Sequence, residues 1–415
     1  VFHGWWIVGV AMLAQAVSIG LAIYSYGLLV VPVGAEFDAS RLEMMWGKTG
    51  LSLMTMMVSP LLGALLDSRS TRLLMVLGSL ALGSAFLWIS LSRSLWEFVF
   101  AYALLPAAAV TLLGTLGTST LVTRWFIGKR GRALSLAALG SSLGGLFIPY
   151  VFQALIDALG WRAACAWIGA GTVTLLLPLI LVLVRDRPAD LGLHPDGVAT
   201  TVNFTAHTAS TSMPVDGLLR SGRFWQIAIA IGAVFAVSAA LLVNIVPFAQ
   251  GQGIASKPAA LLVSAYAISG VGGKLLFSLI ADRVDLKRAL LAVMTLLVPP
   301  VLTLTWTDSY EVMMICAMVL GAVSGGLMPG WTALLAYLYG PMHYGRVMGR
   351  MLLVIGIMAA LIVPLVGFLF DRRGDYDIAF LCLAVLVLAA TALLARIRQD
   401  DPPAAVAVLP VREGT

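Results

Sequence analysis

Charge is what this chain has least of. Only 11% of its 415 residues are Asp, Glu, Lys or Arg, against about 25% in a typical soluble domain, which excludes an ordinary water-facing surface. Histidine and cysteine are scarcer still, four and three. His3, His194, His207 and His343 lie at ends or in loops, so they form neither a metal cluster nor a catalytic pair. Cys165, Cys316 and Cys382 fall inside apolar runs, an odd number without disulfide or zinc spacing. With no visible nucleophile, metal set or acid-base pair, the chain does not read as an enzyme and calls for no cofactor.

Hydrophobic residues make up 60% of the chain. A bilayer core about 30 Å thick takes about 20 helical residues. Twelve such apolar runs lie near 5–33, 44–66, 73–91, 95–122, 133–155, 161–184, 224–250, 258–281, 289–306, 311–336, 347–371 and 377–396. This predicts an all-α membrane protein of twelve transmembrane helices, with the lipid bilayer as its solvent. The first run is too long for a signal peptide and lacks a small-residue cleavage site, so it is expected to stay as a helix. The net charge of +6 does not point to nucleic acid, because the basic residues are shared among short loops. Placing both termini in the cytoplasm puts most of the 26 Lys and Arg on the inner side, as the positive-inside rule requires.

The longest polar stretch, Arg185 to Arg223, divides the runs six and six. Its Pro, Thr, Ser and Asp content suits a linker. The expected organisation is therefore a first six-helix bundle over 1–184, a cytoplasmic linker over 185–223, a second bundle over 224–398 and a cytoplasmic tail over 399–415. Internal signals repeat between the halves. "GALLDSRSTR" (63–72) corresponds to "SLIADRVDLKR" (278–288), which places Asp67 and Asp282 in equivalent positions, and "KRGRALSLAALG" (129–140) corresponds to "YGRVMGRMLLVIG" (344–356). Two pseudo-symmetric repeats of this kind place a binding site between them, near the membrane midplane.

The twelve spans, the long middle loop and the Asp and Arg after spans two and eight resemble the major facilitator superfamily. "GWWIV" (4–8), "RWFIGKRGRALSLAALGSSLGG" (124–145) and "RDRPADLGLHPDG" (185–197) narrow the likeness to bacterial homologues of monocarboxylate transporters and oxalate:formate antiporters. That resemblance implies a secondary transporter working by alternating access in the cell inner (plasma) membrane, with a small organic anion as substrate.

Lys274 stands in "SGVGGKLLFSLIADRVDLKR" (269–288), inside an apolar span. Counting at 1.5 Å per residue puts it roughly 12 Å from the cytoplasmic end of its helix, about twice its own reach. None of the Asp and Glu falls clearly in mid-span to neutralise it. A buried charge costs several kcal/mol, and an anionic substrate would remove that penalty. The resemblance agrees, since relatives carry a basic residue, usually Arg, eight positions before the Asp of this loop, where it binds the substrate carboxylate. Lys offers a point charge where Arg offers a fork. Burial disfavours the ammonium and a neighbouring anion favours it, so substrate and proton would bind cooperatively. This makes Lys274 the expected proton-coupling group of a lactate- or pyruvate-like symport. A lysine that stays charged when empty would give obligatory organic anion exchange instead.

Other residues carry weaker expectations. Asp67 and Arg72, with Asp282 and Arg283, flank inner helix ends where Asp-to-Arg bridges can latch the bundles. Tyr24, in "YSYG" (24–27), Tyr266, Asn244 before Pro247, and Ser142 in "GSSLGG" (140–145) are the candidate substrate-lining residues. Gly270 and Gly273 permit close approach of a helix or a ligand. Lys48, far from Asp67 along its span, reads as a snorkelling side chain. Two rivals remain. The buried cation argues against an exporter of amphipathic drugs, and a nontransporting membrane sensor would need a signalling domain larger than the linker or tail.

Overall fold

A computed structural model of the chain describes residues 2–197, 221–281, 284–341 and 343–397. Among them, twelve helices are long and apolar enough to cross a membrane. They are α1 Gly4–Tyr24, α2 Trp46–Ser68, α3 Thr71–Leu91, α4 Leu95–Trp125, α5 Arg130–Leu159, α6 Trp161–Leu183, α7 Gly222–Gly251, α8 Leu261–Ile280, α9 Leu286–Thr305, α10 Tyr310–Tyr339, α11 Tyr344–Phe370 and α12 Asp377–Ala395. Helical structure is what hydrocarbon demands, because it satisfies the backbone within each segment. No strand occurs among the described residues.

Local signals set the helix starts. The helix containing α2 begins at a capping box, in which Ser40 Oγ accepts from Glu43 N–H and the Glu43 carboxylate accepts from Ser40 N–H. Ser70 and Ser94 cap α3 and α4 through the hydroxyl alone, accepting from the Leu73 and Glu97 N–H groups. The first apolar run differs from expectation. It is not one helix to residue 33: a π-helical turn over Gly20–Tyr24 ends α1, and a short helix, Tyr26–Glu36, follows. The ninth is also split, into Leu286–Leu296 and Val298–Thr305, where Pro299 and Pro300 supply no N–H.

The buried apolar side chains fall into two large clusters, one drawn mainly from α1–α6 and one from α7–α12. Residues 184–197 leave α6 at one end of the bundle, called the linker end; Glu36 and Arg162 mark the opposite, distal end. There Arg162 donates to Glu36 at 2.7 Å, and this guanidinium, with the Trp161 indole N–H, holds the Glu36 carboxyl below the usual carboxylate range.

Glycine permits the close helix approaches, since without a strong hydrophobic drive in lipid, packing depends on small residues. A Cβ at Gly140 would lie 1.9 Å from the Met12 carbonyl oxygen, and one at Gly144 2.2 Å from that of Ala16, which locks α5 to α1. At Gly273 it would lie 1.8 Å from the Ala322 oxygen, between α8 and α10. The two halves meet through the same device. Gly63 of α2 faces the Gly345 carbonyl, and Gly349 of α11 faces that of Ser59, at 2.2 and 2.3 Å from the added carbon. The seam between α2 and α11 thus runs from Asp67 at the linker end as far as Met56, opposite Gly356. Farther toward the distal end, Thr49, Ser52 and Leu53 of α2 are exposed.

Asp67 closes the linker end of this seam. Its carboxylate accepts the Gly345 and Arg346 N–H groups at 2.7 and 2.8 Å. These belong to the first turn of α11, where His343 gives no side-chain cap. A helix N-terminus leaves such donors unpaired and carries partial positive charge, so a carboxylate from the other half completes it.

Three outcomes follow. Gly140→Ala should destabilise the protein by about 1–3 kcal/mol through overpacking, read as a lower Tm in detergent, whereas Gly171→Ala, with open space at its Cβ, should not. Asp67→Asn should loosen the seam: a cysteine at position 59, in a chain with its three native cysteines replaced, should react several-fold faster with a membrane-impermeant maleimide. Glu36→Gln should cost less than about 1 kcal/mol, because the pair is partly exposed. A depressed carboxyl contributes above its unfolded pKa and loses that contribution as pH falls through the folded value. The Tm difference should therefore be present at neutral pH and vanish in acid, below the ordinary carboxylate range.

Candidate functional site

Lys274 lies on the face of α8 that meets α5 of the other half. The glycine before it, Gly273, brings α8 against α10, and the lysine itself is buried, at 8% exposure. Its ammonium neither reaches the linker end nor faces open surface. Nζ donates to the Ala138 carbonyl at 3.0 Å, to Ser141 Oγ at 2.7 Å and to Ser142 Oγ at 2.7 Å. All three protons are engaged, and every acceptor is neutral. Among the described residues no carboxylate pairs with it; the ion pair present is that of Glu36 with Arg162.

The two serines differ. Ser141 Oγ passes its own proton to the Ala138 carbonyl at 2.9 Å. Among the described residues Ser142 makes no further hydrogen bond, so its hydroxyl proton can turn toward an incoming acceptor. One turn along α5, the Tyr24 ring lies against Gly145, where a Cβ would come within 2.9–3.0 Å of it. Tyr24 is 53% exposed. Tyr266, two turns distal of Lys274 on α8, lies where Gly321 of α10 packs on its carbonyl. Ser324 donates to Ser238 of α7 at 3.2 Å. Lys274, Ser142 and Tyr24 are thus brought together from α8, α5 and α1, across the line between the halves, with Tyr266 two turns farther along α8.

Other sequence candidates lie elsewhere. Asn244 is buried, and its amide donates to the Ala240 carbonyl of its own helix at 2.8 Å, while α7 continues through Pro247 to Gly251. Arg72 stays within its own half: its backbone N–H meets Asp186 at 2.9 Å and its guanidinium caps the Leu181 carbonyl. Asp67 crosses the seam, but to backbone N–H groups and not to an Arg side chain. Asp282 and Arg283 lie outside the described residues. Gly270 and Gly273 serve helix packing, with Gly325 pressed on the Gly270 carbonyl. Ala138 was invisible as a site residue because it contributes only a backbone oxygen. The small-residue run "GSSLGG" was the available signal for α5.

Comparison with known proteins places this geometry in a family. The model of the Major Facilitator Superfamily matches residues 11–261 and 227–415. The chain is 26% identical over 404 residues to monocarboxylate transporter 11 of Homo sapiens, covering 94% of this chain and 81% of that protein. It is 26% identical over 394 residues to monocarboxylate transporter 13 of Bos taurus, with 94% and 88% covered. Among solved structures, the transporter FucP in the outward conformation superposes with a TM-score of 0.70 at 16% identity, covering 94% of this chain and 98% of that one. The human organic anion transporter MFSD10 gives 0.69 at 16% identity, covering 94% and 99%. At such identities the superpositions speak to the fold alone. The described chain is a multi-pass, all-α protein with a cation buried where two six-helix halves meet, and it belongs to the Major Facilitator Superfamily, as a transporter rather than an enzyme, homologous to monocarboxylate transporters.

Proposed function

We propose that this chain carries small organic monocarboxylates, lactate- or pyruvate-like, together with protons by alternating access, and that Lys274 anchors the carboxylate. One observation carries the reading: a buried ammonium on the seam between the halves has three neutral acceptors and, among the described residues, no counter-charge. A carboxylate arriving from the distal side would replace one or both serine contacts with a charge-assisted bond, roughly twice as strong as a neutral one. Ser142 would then reverse its role and donate to the second carboxylate oxygen. Tyr24 and Tyr266 would bound the rest of a small acid on the distal side. A single ammonium offers a point charge to one carboxylate, which suits monocarboxylates better than a dicarboxylate clamp.

Transport follows from what must break. The Lys274 bonds tie α8 to α5, so opening the linker end must stretch them. With anion and proton both bound, the site is neutral as a unit and the ties are replaced by bonds that travel with the substrate. With neither bound, an uncharged amine holds the serines less firmly and lets the empty carrier return. The Asp67 contact with α11 would be the companion latch. Under the positive-inside orientation, the linker end faces the cytoplasm of a bacterial inner membrane, and the conformation described is closed on that side.

The same three bonds favour a second reading. If Lys274 keeps its proton when empty, the ties persist, the unloaded carrier cannot return, and transport becomes organic anion exchange.

Uptake of labelled lactate into proteoliposomes, with and without an inward proton gradient, tests the proposal. The native chain should accumulate lactate when the gradient is imposed. Lys274→Gln should lower uptake at least about tenfold, as expected for loss of a charge-assisted bond, and abolish the response to pH. Normal, pH-responsive uptake by that variant would refute both the anchor and the coupling. Uptake that needs preloaded anion would select exchange.

A further inference from the structure

Along the π-helical turn that ends α1, four successive backbone carbonyls accept from side chains, and that of Gly20 also accepts the Ser25 N–H at 3.0 Å. Ser25 Oγ donates to Gly20 O at 2.8 Å. Tyr102 Oη donates to Leu21 O and Ala22 O at 3.2 and 3.1 Å. These donors are neutral and fully buried. The fourth carbonyl, that of Ile23, is taken by a cation, Lys48 Nζ, at 2.8 Å. The snorkelling expected from the sequence is thus replaced by a bond to the broken turn.

An ammonium is more than this bond requires. One of its three protons is used, on a neutral acceptor, and among the described residues no other hydrogen bond or ion pair engages it. Glu43, one turn earlier on the same helix, is committed to its capping box with Ser40.

The position of Lys48 points to a ligand. The α2 face that meets α11 carries Asp67, Gly63, Ser59 and Met56. Continued at the helical spacing of three and four residues, that face reaches Ser52, which is exposed, with Lys48 at its edge beside α1. Lys48 therefore stands where the wall of the seam becomes free of the other half. Counting at 1.5 Å per residue, Lys48 is roughly 28 Å from Asp67, and Ser142 is roughly 18 Å from Arg130 at the same end. The second cation lies about 10 Å distal of the first by that count. Between them stands Tyr24, the neighbour of Ile23, exposed and resting on Gly145 one turn from Ser142.

We infer that Lys48 is a second carboxylate station at the distal mouth, which exchanges the Ile23 carbonyl for an incoming substrate anion and passes it by Tyr24 to Lys274. The inference rests on the monocarboxylate reading above. A charge at the mouth accelerates capture and, by the same lowered barrier, release; it leaves the equilibrium affinity of the deeper site nearly unchanged.

The test is stopped-flow tryptophan fluorescence of lactate binding to full-length protein in nanodiscs, with Trp46 two residues from Lys48 as a native reporter. Lys48→Gln should slow association and dissociation together, by about tenfold, the lower range of electrostatic steering, and leave Kd within about twofold. Lys48→Arg should keep the native rates. The gap between native protein and Lys48→Gln should shrink as salt is raised. Native association rates in Lys48→Gln would overturn the station while leaving the Lys274 anchor intact. A weakened Kd together with a lower Tm, unrepaired by Lys48→Arg, would make Lys48 a structural tie for the α1 break and overturn it too. A rate defect seen in discs containing phosphatidylglycerol but absent from pure phosphatidylcholine would assign the cation to a lipid phosphate. If native protein binds no lactate, or Lys274→Gln binds it as the native chain does, the monocarboxylate reading itself has failed and the station falls with it.

Discussion

The arrangement turns on one charge that hydrocarbon resists. Lys274 is an ammonium within a membrane-spanning helix, and it is held by an Ala138 carbonyl and two serine hydroxyls from the opposite half. Neutral acceptors reduce the several-kcal/mol cost of burying a charge without cancelling the charge itself. What is left is an attraction for an anion at a point where the halves touch. Because the acceptors sit on α5 and the donor on α8, the proposed mechanism makes occupancy of the site and the relation between the halves one set of bonds. Ligand binding can bias a conformational equilibrium only by differing between states, and this contact is one that must differ.

The remaining seam is arranged to make that contact narrow and breakable. Glycines 63, 345 and 349 bring α2 and α11 together on backbone surfaces, and glycines 140, 144 and 273 fix α5 and α8 within their own halves. The Asp67 carboxylate completes the N-terminus of α11 and so ties the halves by a polar contact with backbone N–H groups. A few polar ties on a small-residue seam suit a rocking motion of whole bundles, because they can be released together without dismantling a packed core.

Much of this was legible in the sequence, for physical reasons. Apolar run length alone counts spanning helices, because the bilayer allows few alternatives, and Lys274 stands out because charges are so rare in such runs. Ser142 was reachable through "GSSLGG". Backbone partners were not legible: the Ala138 and Ile23 carbonyls and the Gly345 and Arg346 N–H groups carry no side-chain signature. The break at Gly20–Tyr24 also escaped, since its residues are apolar and continue the run. The partner of Asn244, a candidate lining residue, was equally hidden, since its amide donates to the Ala240 carbonyl one turn back in an unbroken helix.

The central claim is most directly tested by a structure of the protein with a bound monocarboxylate. The account predicts the carboxylate within hydrogen-bond distance of Lys274 Nζ, with at least one of Ser141 and Ser142 displaced from the ammonium. An acid bound elsewhere, with all three neutral contacts of Lys274 intact, would contradict it.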